Sequence, residues 1–250
     1  MLCKRIITSL LLSGDRLVKG TQFDSFIDVG DPVSQSMIAS DQGADEICLL
    51  DITASYVQDV IDYKLVERIT DVRQVPLSVG GGIKTVEHAS ALIDAGAERI
   101  VVNSAAICDK SLIPALSHKF GDQSVVVSID VRRGSEWNYD VYMGRKDVHD
   151  LWAYLSVIAE EGVGEFLITD IEREGTLSGF NYDLYKECCE RVKQPVIASG
   201  GAGCYDHIVK LFEYTNCDAC ALGKMLCLRH YDIIGIKSYI AGKGINVRHT

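Results

Sequence analysis

The sequence predicts a (β/α)8 barrel of the TIM type, an α/β fold formed as a single domain over residues 1–250. Three observations predict it. Eight short apolar runs rich in branched residues alternate with segments of helical spacing. The two halves of the chain repeat at one constant offset. The length of 250 residues is what eight strand–helix units occupy. Strands that alternate with amphipathic crossovers run parallel, because a parallel pair cannot be joined by a tight turn.

The strands read, in order, KRIITSLLL, EICLLDI, PLSVGG, ERIVVNS, SVVVSIDV, EFLITDI, PVIASGG and DACALG. The first lies in MLCKRIITSLLLSGDR, which resembles a secretory leader. Its apolar run is short and leads into a charged loop with no small-residue cleavage pattern, so it reads as a strand. LSGDRLVKGTQF then reads as a long loop. Between strands three and four, TVEHASALIDAG places Val86, Ala89, Leu92 and Ile93 on one helical face and ends at Gly96, a C-terminal cap.

The repeat fixes the equivalences. ADEICLLDI aligns with VGEFLITDI, so Glu46 meets Glu165 and Asp51 meets Asp170, both 119 residues apart (165 − 46 = 170 − 51 = 119). The same offset places Gly81 on Gly200, Gly82 on Gly201 and Ser104 on Gly223. Four strands are thus used twice, as a half-barrel repeat. The catalytic end of a barrel is the carboxyl end of its strands. Leu11, Asp51, Gly82, Asn103, Asp130, Asp170, Gly201 and Gly223 fall there. Arg5, Glu46, Arg99 and Glu165 begin strands one, two, four and six and ring the bottom.

Composition narrows the partners. The net charge of −10 argues against a nucleic-acid surface, which needs clustered Lys and Arg. No apolar run reaches the roughly 20 residues of a membrane span. Nine cysteines without small-scaffold spacing imply reduced thiols and a cytoplasmic location. Cys217 and Cys220 form a C-x-x-C pair that is either structural or a metal or redox site. No His/Cys/Asp cluster has metal-ligand spacing, and no cofactor is implied. The histidines, among them His88, His207 and His230, sit in helix-like contexts facing solvent.

Gly80-Gly81-Gly82 and Gly200-Gly201-Ala202-Gly203 are the clearest ligand signal. Glycine lets backbone N–H groups approach an anion, and a following helix start favours negative charge. Asn103 and Ser104 flank the first turn; Gly223 and Lys224 flank the second. Two such pockets suit a small substrate with a phosphate at each end. Asp130 ends a buried strand, where desolvation raises a carboxyl group toward acid/base use; the alternative is a carboxylate that organises loop amides, a task Asp51 and Asp170 can share. Lys19 is either part of a lid over a bound anion or a solvated loop lysine. Glu174 in REGTLSG either binds substrate or holds its loop. The bottom charges either cap the barrel or act as a polar gate and docking surface.

These motifs together resemble the cyclase subunit of imidazole glycerol phosphate synthase. KRII, LVKGTQF, GDPV, DEICLLDITAS, VGGGI, VNSAA, VVSID, REGTLSG, IASGGAG and GINVR follow one another across essentially the whole chain. The resemblance implies a heterodimer with a glutaminase that docks at the barrel bottom and supplies ammonia, which is used at the top on a bisphosphate ribonucleotide. It also implies phosphate-binding roles for Gly82, Asn103, Ser104, Gly201, Gly203 and Gly223, a catalytic-loop role for Lys19, and an ammonia gate of Arg5, Glu46, Arg99 and Glu165. Arg99 stands where a lysine is usual.

One position departs from that pattern. The family carries an aspartate in each half at the matched site; here Asp130 remains and its counterpart is Leu11 (130 − 11 = 119). Leucine neither accepts nor donates a proton. Three readings follow: a paralogue that delivers ammonia to another acceptor, as in sugar amidation for surface polysaccharides beside a sugar amidotransferase, with cyclase activity weak or lost; a histidine-pathway cyclase in which another group compensates; or a non-catalytic ammonia conduit.

Overall fold

A computed structural model describes residues 3–54, 59–134, 138–143, 146–228 and 231–248, with backbone alone at 146 and 147. Eight parallel strands close on themselves: β1 (Arg5–Ser13), β4 (Glu46–Asp51), β5 (Leu77–Gly80), β6 (Arg99–Val102), β7 (Val125–Arg133), β10 (Glu165–Asp170), β11 (Val196–Ser199) and β12 (Ala219–Leu222). β7 pairs with β10, and β12 returns to β1 in register Arg5↔Ala219. Every strand expected from the sequence is present. β1 and β7 lie four strands apart in either direction, so residues matched by the repeat face one another across the barrel.

Closure sorts each strand by parity. Ile6, Leu10 and Leu12 of β1, with Val125, Val127, Ile129 and Val131 of β7, pack outward against the helices. Ile7, Cys48, Val101, Val126, Leu167, Ile197, Ala219 and Ala221 point inward and make a second, smaller apolar layer. Continuing the alternation from Ile7 and Val126 places Leu11 and Asp130 inward, near the strand ends.

The helices lie outside. The main crossovers are α1 (Pro32–Asp41), α2 (Tyr63–Thr70), α3 (Val86–Asp94), α5 (Leu112–Phe120), α6 (Leu151–Ile158), α7 (Tyr182–Arg191), α8 (Tyr205–Tyr214) and α10 (Ile233–Gly242); α4 (Ser104–Cys108) and α9 (Lys224–Leu228) are single turns. Asp31, Asp62, Thr85, Asp150, Asn181 and Asp232 cap their helices by accepting first-turn N–H groups. Gly96 ends α3 as expected: its φ is +102°, and a Cβ there would meet the Thr70 methyl at 2.5 Å.

The segment read as a long loop after strand one is an antiparallel hairpin, β2 (Arg16–Thr21) with β3 (Asp24–Gly30). β1 runs past the barrel rim and pairs with β2 through Leu11↔Val18 and Leu12↔Leu17, which hides Leu17 beneath the hairpin. A matching hairpin, β8 (Tyr139–Met143) with β9 (Lys146–Asp150), follows β7. Both were obscured in the sequence by glycine and charge in short, bulged strands.

The last helix seals the seam. Lys237 on α10 donates to Asp45 at 2.7 Å, with both side chains about 5% exposed, and the other Asp45 oxygen accepts Ile6 N–H at 2.7 Å. A buried carboxylate stripped of its cation is costly. Lys237→Met is expected to lower unfolding free energy by about 3 kcal/mol, whereas a substitution at exposed Lys243 leaves it unchanged; chemical denaturation measures both.

Candidate functional site

The bottom of the barrel is closed by four side chains. Glu46 and Glu165 have side chains 3% and 6% exposed, and each bonds both arginines. Arg5 Nη1 donates to Glu46 at 3.1 Å and to Glu165 at 3.2 Å, and its Nη2 holds the second Glu165 oxygen. Arg99 Nη1 donates to Glu46 at 3.1 Å and to Glu165 at 2.6 Å. The Ser78 hydroxyl takes the remaining Glu46 oxygen. The result is an alternating, neutral square across the barrel axis. Burial pushes Glu46 up, more than Arg99, Ser78 and Arg5 pull it down. Burial would lower Arg5, but Glu165 and Glu46 outweigh it and hold its guanidinium charged. The sequence-predicted ring is therefore assembled, and Arg99 fills its position by contacting both carboxylates.

At the opposite end, Asp130 points into the mouth and its Oδ2 accepts Asn103 Nδ2 at 2.8 Å. Enclosure pushes its carboxyl up to about 6; the Asn103 hydrogen bond opposes this and the charge of Glu174 adds to it. Asn103 thus orients the acid. Across the mouth the matched position is Leu11, beside Leu50 in the β1–β4 register.

Lys19 lies on β2 rather than in a solvated loop. It is 2% exposed and donates from Nζ to the Ser9 carbonyl at 2.8 Å. A Cβ on Gly223 would fall 2.3 Å from that Nζ, so the lysine meets the strand-eight glycine directly. Lys224 donates to Thr21 Oγ1 at 2.6 Å, bringing a second ammonium group to the same hairpin. Gln22 N–H donates to the Glu174 carbonyl at 2.8 Å and Gln22 Nε2 to the Glu172 carbonyl at 2.9 Å. The hairpin therefore crosses the mouth and docks on the loop after β10.

The glycine turns match each other. Gly81 and Gly82 have φ of +132° and +68°; Gly200 and Gly201 have +105° and +102°. A side chain at Gly82 would strike the Asp59 carbonyl at 1.8 Å, and one at Gly201 the Gly179 carbonyl at 2.2 Å. Among the described residues no backbone carbonyl takes the N–H of Gly82 or Gly201. Gly203 differs: its N–H donates to His207 Nδ1 at 3.1 Å, so it is not open to a ligand in this arrangement. Ser104 begins α4 beside Asn103.

Asp51 and Asp170 organise loops. Asp51 Oδ1 accepts the N–H of Thr53 and Ala54, and Asp170 Oδ1 those of Glu172 and Arg173, each partner again 119 residues apart. Asn181 Nδ2 holds the second Asp170 oxygen at 2.7 Å. The sequence reading missed the two histidines that brace the glycine turns. His88 Nδ1 accepts Lys84 N–H at 3.5 Å, as His207 accepts Gly203 N–H (207 − 88 = 203 − 84 = 119). His207 is half-buried, and burial lowers its pKa. The repeat itself held that signal. His230 lies outside the described residues.

Cys217 does not pair with Cys220. Cys220 packs outward in the helix-side core, and the Cys217 sulfur lies 3.6 Å from that of Cys189. Among the described residues no group of three or more His, Cys, Asp or Glu side chains is placed to hold a metal ion, and no helix is long and apolar enough to cross a membrane.

The chain matches a family model described as "Histidine biosynthesis protein" over residues 5–232. It is 40% identical to imidazole glycerol phosphate synthase subunit HisF of Methanocaldococcus jannaschii, over 99% of each chain. It is 39% identical to the Helicobacter hepaticus protein of that name, again over 99% of each. With the Synechocystis sp. subunit the identity is 38%, over 100% of this chain and 98% of the relative. Full-length likeness joins the closed barrel and its duplicated register in one conclusion: the chain belongs to the HisF family, the cyclase subunits of imidazole glycerol phosphate synthase.

Proposed function

We propose that this chain is the synthase subunit of a glutamine-dependent complex, using ammonia from a glutaminase partner on a small phosphorylated substrate at the barrel mouth. The observation that carries this reading is the stacking of two sites on one axis. A neutral Arg/Glu square lies at the bottom, an apolar layer above it, and a single tunable acid at the top. Neutral ammonia is compatible with the apolar layer around Ile7, Val126 and Leu167, whereas a hydrated cation is not. The square is the element that has to rearrange to admit it, and its rim offers charge to a docking partner. The names of the relatives support the imidazole glycerol phosphate synthase reaction of histidine biosynthesis.

Within that reading, Asp130 supplies proton transfer. A carboxyl group near 6 is close enough to neutrality to take a proton from one reacting atom and return it to another. Asn103 fixes its direction. Lys19, the glycine amides of Gly82 and Gly201, and Ser104 and Gly223 hold the anionic ends, and Glu174 completes the wall beside Asp130. The match along the full length of relatives named as one subunit supports one domain over the whole chain, and the reduced cysteines support a cytoplasmic setting.

Leu11 favours a second reading. It makes the β1 side of the mouth apolar, so one half of a paired acid/base site is absent. A subunit built this way retains ammonia delivery while losing cyclase rate. It suits transfer to a different acceptor, such as a sugar in surface-polysaccharide synthesis beside a sugar amidotransferase, or a pure conduit.

Two measurements test these assignments. Assayed with ammonia and the bisphosphate ribonucleotide, Leu11→Asp is expected to raise turnover by about 10²-fold or more, the weight of a positioned acid/base group. High turnover without the substitution would return the protein to the histidine-pathway reading, and low turnover with no gain would favour the second. Asp130→Asn is expected to abolish turnover yet stabilise the fold. A carboxyl that binds its proton more tightly folded than unfolded destabilises the native state as pH rises from about 4 to 6. Thermal or chemical unfolding of the variant should therefore show a gain of about 1–2 kcal/mol at pH 8 that disappears near pH 4.

A further inference from the structure

The proposed chemistry uses none of the nine cysteines, and two of them meet at the end of the barrel that carries the charged square. Cys189 lies in the last turn of α7, and Cys217 in the turn before β12; both are free thiols with sulfurs 3.6 Å apart. Cys189 is half-buried and Cys217 is fully buried, so a reagent from solvent reaches Cys189 first with Cys217 directly behind it. The Cys217 hydrogen bond and the Lys4 ammonium hold the Cys189 thiol below its usual range, against burial and the charge of Asp218. Burial pushes Cys48, Cys188 and Cys220 up, which keeps them protonated and unreactive. Cys3 and Cys108 are exposed, but among the described residues neither has a second cysteine in contact.

The segment holding Cys217 also anchors the start of β1. The Cys217 carbonyl accepts Lys4 Nζ at 2.6 Å, and the Asp218 carbonyl accepts the Arg5 N–H at 3.0 Å. Arg5 is one corner of the charged square. Bringing the two sulfurs from 3.6 Å to a bonded separation of about 2 Å ties this anchor covalently to α7.

We propose that Cys189 and Cys217 form a peroxide-sensitive dithiol whose disulfide clamps α7 to the strand-eight segment that holds Arg5. The Cys189 thiolate attacks a peroxide oxygen; an S–O bond forms, the O–O bond breaks, and hydroxide leaves to be protonated as water. The Cys217 sulfur, losing its proton, then attacks the sulfenic sulfur; the S–S bond forms and a second water leaves. Two thiols and one hydrogen peroxide become one disulfide and two waters, and a dithiol reductant reverses the change.

The test treats the full chain with equimolar hydrogen peroxide, alkylates the remaining thiols and maps the peptides by mass spectrometry. The expected product is a Cys189–Cys217 cross-linked peptide, lighter by two hydrogens than the sum of its parts, lost on treatment with dithiothreitol. In Cys189→Ser, Cys217 should stay reduced. The Arg5 amide should exchange hydrogen more slowly in the oxidised protein. Alkylation of both cysteines while Cys3 or Cys108 is oxidised would overturn the site. A disulfide that forms without altering exchange at Arg5 would overturn the clamp.

Discussion

Two glutamates buried at the floor of a closed barrel impose the strongest constraint on this molecule. Inward-pointing positions of β4 and β10 place Glu46 and Glu165 where water cannot solvate them, and a lone buried carboxylate costs several kcal/mol. Each is held by both Arg5 and Arg99, so neither arginine can be lost without leaving a carboxylate with half its compensation. The half-barrel repeat makes this arrangement possible. Glu46 and Glu165 are the same position used twice, while β1 and β6 supply the cations between them. A hydrophobic floor would pack as well. The floor is closed instead by four charges that compensate one another in a neutral square.

The mouth inverts that economy of symmetry. Asp51 with Asp170, His88 with His207 and Gly82 with Gly201 do matching structural work in the two halves. At the innermost pair the repeat is broken, with Leu11 on one side and Asp130 on the other. With Leu11 opposite, Asp130 has no facing carboxylate from β1, and its proton affinity is raised because enclosure dominates and Glu174 adds its charge. Enclosure alone is therefore enough to raise this acid, with no second carboxylate facing it from β1.

All eight barrel strands, the 119-residue register and the bottom ring were legible in the sequence, because each rests on pattern: alternation, repetition and the height of a residue along its strand. What the sequence hid depends on side chains that cross between elements. Lys19 read as a loop lysine because nothing local shows that β1 overruns the rim to pair with β2. Nothing local in the sequence reveals that the Asn103 amide bonds Asp130 at 2.8 Å across neighbouring strands. Helix spacing does not reveal that the half-buried His207 turns its ring back to the Gly203 amide. The C-x-x-C spacing of Cys217 and Cys220 likewise does not reveal that strand alternation sends Cys220 to the outer core.

The hairpin over the mouth links these features into one device. Its turn holds Gln22, Phe23 and Ser25 at φ of +53°, +63° and +53°, left-handed conformations that cost a non-glycine residue about 1–2 kcal/mol each. Cross-links offset that strain: Gln22 to the Glu172 and Glu174 carbonyls, and Lys224 to Thr21. Glu174 therefore serves two ends, its carbonyl fastening the hairpin and its carboxylate raising Asp130. Lifting the hairpin releases the backbone that positions Glu174 and exposes Lys19 to water. The hairpin that covers the mouth and the charge beside its acid thus share a single loop, the one that carries Glu174.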